Sequence, residues 1–169
     1  MKPAVVLVGP PGAGKSTVAA IVASRLGLAV RDTDDDIEAE QGISVQDIFV
    51  EAGEPRFREL EHRAVARALS EHDGVVSLGG GAPLHPQTRQ LLRDHRVVFL
   101  DVGLAQAAAR VGLNSGRPLL LGNVRGQLKR LMDERRPVYT EVASVRIDTD
   151  GRTPEEVAEA VVDVVKESR

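Results

Sequence analysis

Short apolar runs rich in Val, Leu and Ile recur along the chain, and stretches with helical spacing of apolar residues separate them. The runs cover residues 4–8, 28–30, 75–78, 97–100 and 145–147. A continuous apolar run of this length is typical of a strand buried on both faces. Because strands alternate with helices, the pattern predicts an α/β fold, a five-stranded parallel sheet with helices on both faces.

Helices are predicted where apolar residues recur every three or four positions. The first begins at Lys15 and ends before Gly27, a residue that readily adopts the left-handed conformation found after helices. Ser44 is a suitable N-cap, Pro55 fits the first turn of a helix, and Pro137 marks the end of another. The remaining predicted helices cover residues 45–50, 55–68, 104–111, 128–137 and 154–165.

Length and charge narrow the possible classes. The chain has 169 residues, a formal net charge of −3 and no cysteine. The length fits one domain, residues 1–169. The negative charge gives no basic field for nucleic acid, and no apolar run approaches the ~20 residues needed to cross a bilayer. Without cysteine there are no disulfides, which fits a reducing cytoplasm. The sequence shows no strong sign of an oligomer interface, and we expect a cytoplasmic monomer that binds neither nucleic acid nor membranes.

A phosphate-binding motif lies between the first strand and the first helix. Residues 9–17, GPPGAGKST, contain G-x-x-x-x-G-K-[ST]. The glycines let backbone N–H groups converge on phosphate oxygens, and the helix N-terminus adds positive partial charge. We expect Lys15 to reach the β- and γ-phosphates of ATP and Ser16 to bind Mg²⁺. The predicted nucleotide-binding residues of this loop are Gly12, Ala13, Gly14, Lys15, Ser16 and Thr17.

This motif alone does not distinguish a kinase from a GTPase or a motor ATPase. The chain has no N-K-x-D or T-K-x-D segment after a strand, which would read guanine. It also has no apolar run ending in D-E, as helicase-type ATPases have. These missing segments favour a kinase that acts on a small molecule.

Two aspartates follow the second predicted strand, at Asp32 and Asp34. On an extended segment, residues that are two positions apart point to the same side, so both carboxylates could face one site. One carboxylate could therefore hold Mg²⁺ through water while the other orients a substrate hydroxyl. The alternative is a solvated acidic loop before a helix, where Asp is favoured in any case.

Further charged and glycine-rich segments have two interpretations each. Arg58 could bind a carboxylate, or it could form an exposed ion pair with Glu61 three residues on. The three glycines 79–81 suggest close approach of the backbone to a ligand, or a flexible loop. Arg117 lies in a glycine-flanked segment, 111–124, that could act as a lid over a phosphoryl group, or it is solvated. Arg135 could bind a ligand, or complement a helix C-terminus.

Six segments, in this order, resemble the shikimate kinase family over nearly the whole chain. They are the phosphate loop, D-x-D at 32–34, G-E-x-x-F-R-x-x-E at 53–61, G-G-G at 79–81, R-P-L-L at 117–120 and R-x-P-x-Y at 135–139. The resemblance implies a P-loop fold like that of nucleoside monophosphate kinases, with an acceptor-binding segment at about 33–61 and a lid at about 111–124. It implies transfer of phosphate from ATP, with Mg²⁺, to the 3-hydroxyl of shikimate in aromatic amino acid biosynthesis.

The resemblance also implies roles for individual residues. Three are implied to be catalytic: Asp34, as base or orienter of the hydroxyl, with Lys15 and Arg117. Substrate contacts are implied for Asp34, Phe57 with Phe49, Arg58, Gly79, Gly80, Gly81 and Arg135. Contacts with the nucleotide beyond the phosphate loop are implied for Arg110, Arg117 and Arg152, with Pro154. Mg²⁺ is implied to bind Ser16, with Asp32 in its outer shell.

Two alternatives remain at this point. Another small P-loop kinase, acting on gluconate or a nucleoside monophosphate, shares the phosphate loop. A nucleotide acceptor would need a larger base pocket and more phosphate-directed arginines, whereas the glycines and the D-x-D pair favour a polyol acid. The second alternative is a nucleotide-dependent binding switch without turnover.

Overall fold

The computed structural model describes residues 2–115 and 124–167, with side chains in 2–110 and 125–167. The strands in these ranges form one parallel sheet in the order β2-β3-β1-β4-β5. The predicted five-stranded parallel α/β sheet is therefore confirmed. The strands are β1 (Val5–Val8), β2 (Val30–Asp32), β3 (Val75–Ser77), β4 (Val97–Asp101) and β5 (Val145–Asp148).

Helices cover both faces of the sheet, as predicted. Successive residues of β1 enter opposite cores: Val5 and Leu7 pack in one apolar cluster, Val6 and Val8 in the other. The helices are α1 (Lys15–Leu26), α2 (Thr33–Gln41), α3 (Val45–Ala52), α4 (Glu54–Glu71), α5 (Pro86–Leu92), α6 (Leu104–Ser115), α7 (Val124–Val142) and α8 (Pro154–Glu167). Helices α1 and α8 contribute to the first cluster, and α4, α5 and α7 to the second.

The predicted helix ends at Gly27 and Ser44 and the predicted start of the last helix at residue 154 are confirmed. Gly27 follows α1 with a φ of 67°. The Ser44 hydroxyl accepts the N–H of Asp47, 3.1 Å away, at the start of α3. Thr153 and Glu156 exchange side-chain and backbone hydrogen bonds before α8, an arrangement that satisfies two otherwise free N–H groups.

Strand β2, helix α6 and helix α5 differ from the prediction. Strand β2 covers Val30–Asp32 and not 28–30, and it is an edge strand in which Val30 is 41% exposed. Helix α6 extends to Ser115, so the first residues of the predicted lid are helical. Helix α5 was not predicted, because its sequence, PQTRQLL, has little apolar periodicity.

Helix α7 continues through Pro137 to Val142, so the predicted end at Pro137 is wrong. A proline inside a helix costs about 3 kcal/mol or more because it removes one hydrogen bond and crowds the preceding turn. Beyond Pro137, the side chains of Tyr139 and Val142 are buried in the second apolar cluster. Their burial offsets the cost of the proline. No helix in the described ranges is long and apolar enough to cross a membrane.

Candidate active site

The carboxyl ends of β1, β2 and β3 meet at one cavity of about 530 Å³. This position follows from the parallel sheet, in which all loops after the strands lie at the same edge. The cavity brings together residues that are far apart in the sequence. The predicted site residues that line it are Gly12, Ala13, Gly14, Lys15, Ser16, Thr17, Asp32, Asp34, Gly79, Gly80, Arg110 and Arg152.

The phosphate loop depends on glycines with a left-handed backbone. Gly12 has a φ of 83° and Gly14 a φ of 84°, values that cost little only for glycine. A Cβ on Gly12 would also lie 2.9 Å from the carbonyl oxygen of Ala107 on α6. The loop therefore turns tightly enough to bring its N–H groups to the first turn of α1.

Lys15 begins α1 and folds over the loop. Its Nζ donates to the carbonyl oxygens of Gly9, at 2.6 Å, and Pro10, at 3.1 Å. Burial lowers the pKa of Lys15 to about 8, and the carboxylates of Asp34 and Asp32 oppose this shift. A partly desolvated ammonium in the cavity is suited to pair with phosphate oxygens.

The two aspartates lie on the cavity in a geometry that the sequence did not predict. Asp32 is the N-cap of α2, and its Oδ1 accepts the N–H groups of Asp34, at 2.8 Å, and Asp35, at 3.3 Å. Asp34 therefore belongs to the first turn of a helix, so the expected extended segment is wrong. Both side chains nevertheless reach the cavity, because the helix begins immediately at the sheet edge.

The Asp34 carboxyl has a perturbed acidity. Burial raises its pKa to about 6, the negative charge of Asp32 adds to the rise, and Lys15 opposes it. Burial also raises the pKa of Asp32. A carboxylate with a pKa near 6 is ionised at neutral pH but is a better proton acceptor than an ordinary aspartate.

Arg58 and Glu61 form a buried ion pair, so the interpretation as an exposed pair is wrong. Arg58 Nη1 donates to Glu61 Oε1 at 2.6 Å, and the Glu61 side chain is 2% exposed. Burial raises the pKa of Glu61 to about 7, while the nearby Arg58 opposes this. The rings of Phe49 and Phe57 lie 5.6 and 5.3 Å from Cζ of Arg58 and hold the guanidinium between the helices.

The three glycines allow charged side chains to approach the backbone closely. A Cβ on Gly79 would lie 2.7 Å from Asp34 Oδ1, and one on Gly81 would lie 2.6 Å from Cζ of Arg58. A Cβ on Gly80 would be 3.3 Å from Arg135 Nη1. The glycines thus bring a carboxylate and two guanidiniums to one small surface beside the phosphate loop.

Arg135 and Arg136 point to different partners. Arg135 lies against Gly80, whereas Arg136 Nη1 donates to Oδ2 of the buried Asp101 at 2.6 Å. The sequence-based choice of Arg135 as the ligand-binding residue therefore agrees with its position, although its role stays a prediction. Arg136 instead ties α7 to the end of β4.

Three buried polar atoms of the acceptor side have no hydrogen-bond partner within the described residues: Asp34 Oδ1, Arg58 Nε and Arg135 Nε. Nε of Arg58 has only a long ionic contact, 3.6 Å, with Glu54. Buried polar groups in proteins are normally hydrogen-bonded. Three such groups around one glycine loop leave hydrogen-bonding capacity that a polar ligand could satisfy.

The nucleotide side of the cavity is lined in part as predicted. Arg110 Nη1 donates to the carbonyl oxygen of Gly12 at 2.8 Å, and Arg152 and Pro154 also line the cavity. Arg117 lies outside the described residues, and its role stays a prediction. Of the predicted lid, 111–124, residues 116–123 also lie outside them.

Ser16 and Asp32 both line the cavity. Two oxygen ligands of this kind suit Mg²⁺ better than they suit a metal whose ligands all come from the protein. One oxygen of Asp32 accepts two backbone N–H groups; the other has no hydrogen-bond donor among the described residues and could face a water molecule of the metal. In residues 2–115 and 124–167 no group of three or more His, Cys, Asp or Glu could hold a metal. Mg²⁺ commonly binds to one or two protein groups together with substrate phosphates and water.

Sequence analysis missed two residues of the site. Glu61 lies on the apolar stripe of α4, four residues after Phe57 and three before Ala64, and this spacing signals burial. The second is Tyr139, whose hydroxyl donates to the carbonyl oxygen of Gly80 at 2.6 Å. It was visible only as the last letter of R-x-P-x-Y.

The buried Glu61 makes the stability of the protein depend on pH. The folded protein retains the Glu61 proton up to about pH 7, whereas the ordinary pKa is 4.5. From pH 5 to pH 8 the folded state therefore gives up a proton that the unfolded chain has already lost. Over this pH range we expect the free energy of unfolding of wild type to fall relative to that of Glu61→Gln. The fall should be on the order of 3 kcal/mol, since each unit of pKa shift corresponds to about 1.4 kcal/mol.

Urea unfolding of both proteins at pH 5 and pH 8 measures this difference. Glu59→Gln is the matched control, because Glu59 is exposed on the same helix. Its difference from wild type should not change with pH. An equally constant difference for Glu61→Gln would show that the Glu61 carboxyl titrates alike in the folded and unfolded states.

Comparisons with known proteins agree on one family. The family model described as shikimate kinase matches residues 11–166. The chain is 58% identical to the shikimate kinase of Streptomyces avermitilis over 97% of this chain and 96% of that protein. It is 52% identical to the shikimate kinase of Saccharopolyspora erythraea over 100% of this chain and 97% of that protein.

A solved structure gives the same result for the fold. The structure of a shikimate kinase from Acinetobacter baumannii in complex with shikimate matches with a TM-score of 0.91 and 32% identity. The match covers 100% of this chain and 96% of that one. The similarity therefore extends over the sheet and the cavity together.

Proposed function

The chain belongs to the shikimate kinase family, and from this premise we propose how its residues transfer the γ-phosphoryl group of ATP to the 3-hydroxyl of shikimate. The bond between the γ-phosphorus and the 3-oxygen forms as the bond to the bridging oxygen of ADP breaks. The hydroxyl proton passes to a base. The products are ADP and shikimate 3-phosphate.

One observation carries the assignment of roles: the three unpartnered buried atoms of Asp34, Arg58 and Arg135 surround the glycine loop next to the phosphate loop. An acceptor with a carboxylate and ring hydroxyls supplies what these atoms lack. The guanidiniums would hold the carboxylate, since arginine pairs well with planar anions. Asp34 would accept a hydroxyl proton.

On the nucleotide side, the N–H groups of residues 12–17 and the N-terminus of α1 would bind the phosphates. Lys15 would exchange its two carbonyl partners for phosphate oxygens and neutralise charge that develops at the β–γ bridge. We propose that Arg117 adds a second cation there. Arg110, Arg152 and Pro154 would flank the adenosine.

Ser16 and Asp32 would hold Mg²⁺, Ser16 through its hydroxyl and Asp32 through water. When bound, the ion would supply positive charge that offsets the charge of the phosphates. Asp32 has a second task within the chain itself, because it caps α2 and so fixes the direction of Asp34.

Asp34 would act as the base. A Cβ added to Gly79 would lie 2.7 Å from Asp34 Oδ1, so the carboxyl is close to the backbone of the glycine loop. The raised pKa of Asp34 helps it to accept the proton as the P–O bond forms, while Lys15 keeps the carboxylate ionised at neutral pH. Phosphoryl transfer has a loose transition state, so alignment of the hydroxyl contributes as much as proton removal.

Replacing Arg58 by Ala tests the acceptor side. The variant loses one partner of a desolvated charge pair, a loss that costs roughly 2–5 kcal/mol. We expect the KM for shikimate to rise by roughly 30-fold or more, whereas the KM for ATP should stay nearly unchanged. Steady-state kinetics with each substrate varied in turn measures both values.

The control is Arg63→Ala, which removes an exposed arginine from the same helix. It should leave both KM values unaltered. An Arg58→Ala enzyme that still saturates with shikimate at the wild-type concentration would contradict the proposed carboxylate site.

We also propose that the enzyme is a cytoplasmic monomer. The cytoplasm supplies the ATP that the reaction consumes. Every group assigned a role here comes from a single chain, so the site needs no second copy. The net charge of −3 fits a partner that is a small molecule and not a nucleic acid.

A further inference from the structure

Tyr139 joins α7 to the glycine loop through a single buried hydrogen bond. Its hydroxyl donates to the carbonyl oxygen of Gly80 at 2.6 Å, and the side chain is 1% exposed. The ring packs against Phe99 of β4 with the centroids 5.1 Å apart. The hydroxyl is therefore held in place by the apolar core beneath the loop.

The carbonyl groups of the three glycines are held in two different ways. The carbonyl oxygens of Gly79 and Gly81 accept the N–H groups of Ala82 and Leu84, from the 3₁₀ helix Ala82–Leu84 that follows directly. The carbonyl of Gly80 is instead held from another element, by Tyr139. Because glycine has the greatest backbone freedom, this contact restricts the loop where its own chain does not.

The orientation of this carbonyl determines a second group. The Gly80 carbonyl and the Gly81 N–H belong to the same planar trans peptide and point in opposite directions. With the carbonyl directed at Tyr139 in the core, the Gly81 N–H points away from the core. The Arg58 guanidinium lies directly at Gly81. One peptide thus places an N–H donor beside an arginine assigned to the acceptor.

Tyr139 lies on the same face of α7 as Arg135, since residues four apart are neighbours on a helix. Arg135 Nη1 would lie 3.3 Å from a Cβ on Gly80. Burial raises the pKa of the Tyr139 phenol, and the charge of Arg135 and its side-chain hydrogen bond to the phenol partly oppose this. The phenol is therefore protonated and a hydrogen-bond donor at neutral pH.

We propose that Tyr139 is a positioning residue for the acceptor carboxylate: its hydroxyl fixes the Gly80–Gly81 peptide so that the Gly81 N–H, Arg58 and Arg135 face the carboxylate together. This inference rests on the proposed function. Tyr139 itself does not touch the substrate. It acts through the backbone of the loop.

The variant Tyr139→Phe removes only the hydroxyl. The buried Gly80 carbonyl then loses its partner, which is unfavourable for a buried acceptor, and the peptide can rotate. We expect the KM for shikimate to rise roughly ten-fold, with the KM for ATP unchanged and kcat within about three-fold of wild type. With the methyl ester of shikimate, which has no carboxylate charge, the change in KM should fall to about two-fold or less.

The control is Thr140→Ala, which removes an exposed hydroxyl from the same helix. Among the described residues, this hydroxyl donates to the carbonyl oxygen of Arg136, one turn earlier. Its kinetic constants should match wild type. A Tyr139→Phe variant with an unchanged KM for shikimate would overturn the inference. So would equal losses for both substrates, or equal losses for shikimate and its ester, because these indicate a merely structural role.

Wild-type turnover separates this result from a failure of the proposed function. If wild type forms no ADP with shikimate, the proposed function fails and the inference fails with it. If wild type is active and only the split between the two KM values is missing, the inference alone is wrong.

Discussion

Replacing Asp34 by Asn should lower kcat for shikimate phosphorylation by roughly 10²–10⁴-fold, the usual contribution of a positioned base. The amide keeps the shape of the carboxyl and can still hydrogen-bond a hydroxyl, but it cannot take the proton. Because the site binds ATP mainly through the phosphate loop, the KM for ATP should change little. Steady-state kinetics with both substrates measures these values.

The pH profile gives an independent signature of Asp34. The pKa of its carboxyl in the free enzyme is about 6, and the base must be ionised to accept a proton. For wild type kcat/KM for shikimate should therefore fall as the pH drops below about 6, a limb that reports groups of the free enzyme. In Asp34→Asn this limb should be lost.

Asp35→Asn is the matched control, since Asp35 is exposed in the same turn of α2. It should keep both the rate and the acid limb. If Asp34→Asn retained kcat within about three-fold of wild type, alignment without proton transfer would explain the rate, and Asp34 would not be the base.

Lys15→Met should lower kcat by roughly 10²–10³-fold, which is typical when one preorganised charge is removed from a transition state. The methionine fills a similar volume but offers no cation to the β–γ bridge. Stability should not suffer in the same way. Burial lowers the pKa of Lys15 to about 8, so the folded protein carries a desolvation cost that methionine removes.

Lys15→Met should therefore affect activity and stability differently. Its activity should fall below that of wild type, whereas its free energy of unfolding should stay equal or increase. Calorimetric binding of shikimate should remain near wild type, because Lys15 lies on the nucleotide side. Lys129→Met removes an exposed ammonium from α7 and should alter none of these values. Near-normal activity of Lys15→Met would exclude Lys15 from the transfer step.

The parts of the fold that depend on local pattern were predictable. The parallel sheet follows from continuous apolar runs, and the phosphate loop follows from glycine spacing at a strand–helix junction. Both are properties of a few neighbouring residues. The position of the cavity then follows from the parallel order of the strands alone.

Features set by tertiary contacts were not predictable in the same way. Helix α7 passes Pro137 because Tyr139 and Val142 are buried beyond it, and only the packed structure shows this. One interpretation of Arg58 and Glu61 was an exposed ion pair. The pair is instead buried, because Phe57 and Leu60 on the same helix pack in an apolar cluster. Spacing gives the face of a helix but not what covers it.

The aspartate pair shows how a correct residue choice can rest on a wrong local geometry. Asp32 ends β2 and caps α2 at once, so the chain turns into a helix where an extended segment was expected. An N-cap and the first helical turn still direct Asp34 to the cavity. The alternative interpretation, a solvated acidic loop before a helix, did not include Asp32 as the N-cap.

ADP release from ATP and Mg²⁺ can be assayed with shikimate, gluconate, AMP or CMP offered in turn. This assay tests most directly whether the cavity joins the phosphate loop to a site for a ring-borne carboxylic acid. The account expects ADP to form with shikimate alone. ADP formation with gluconate or a nucleotide, but none with shikimate, would contradict it.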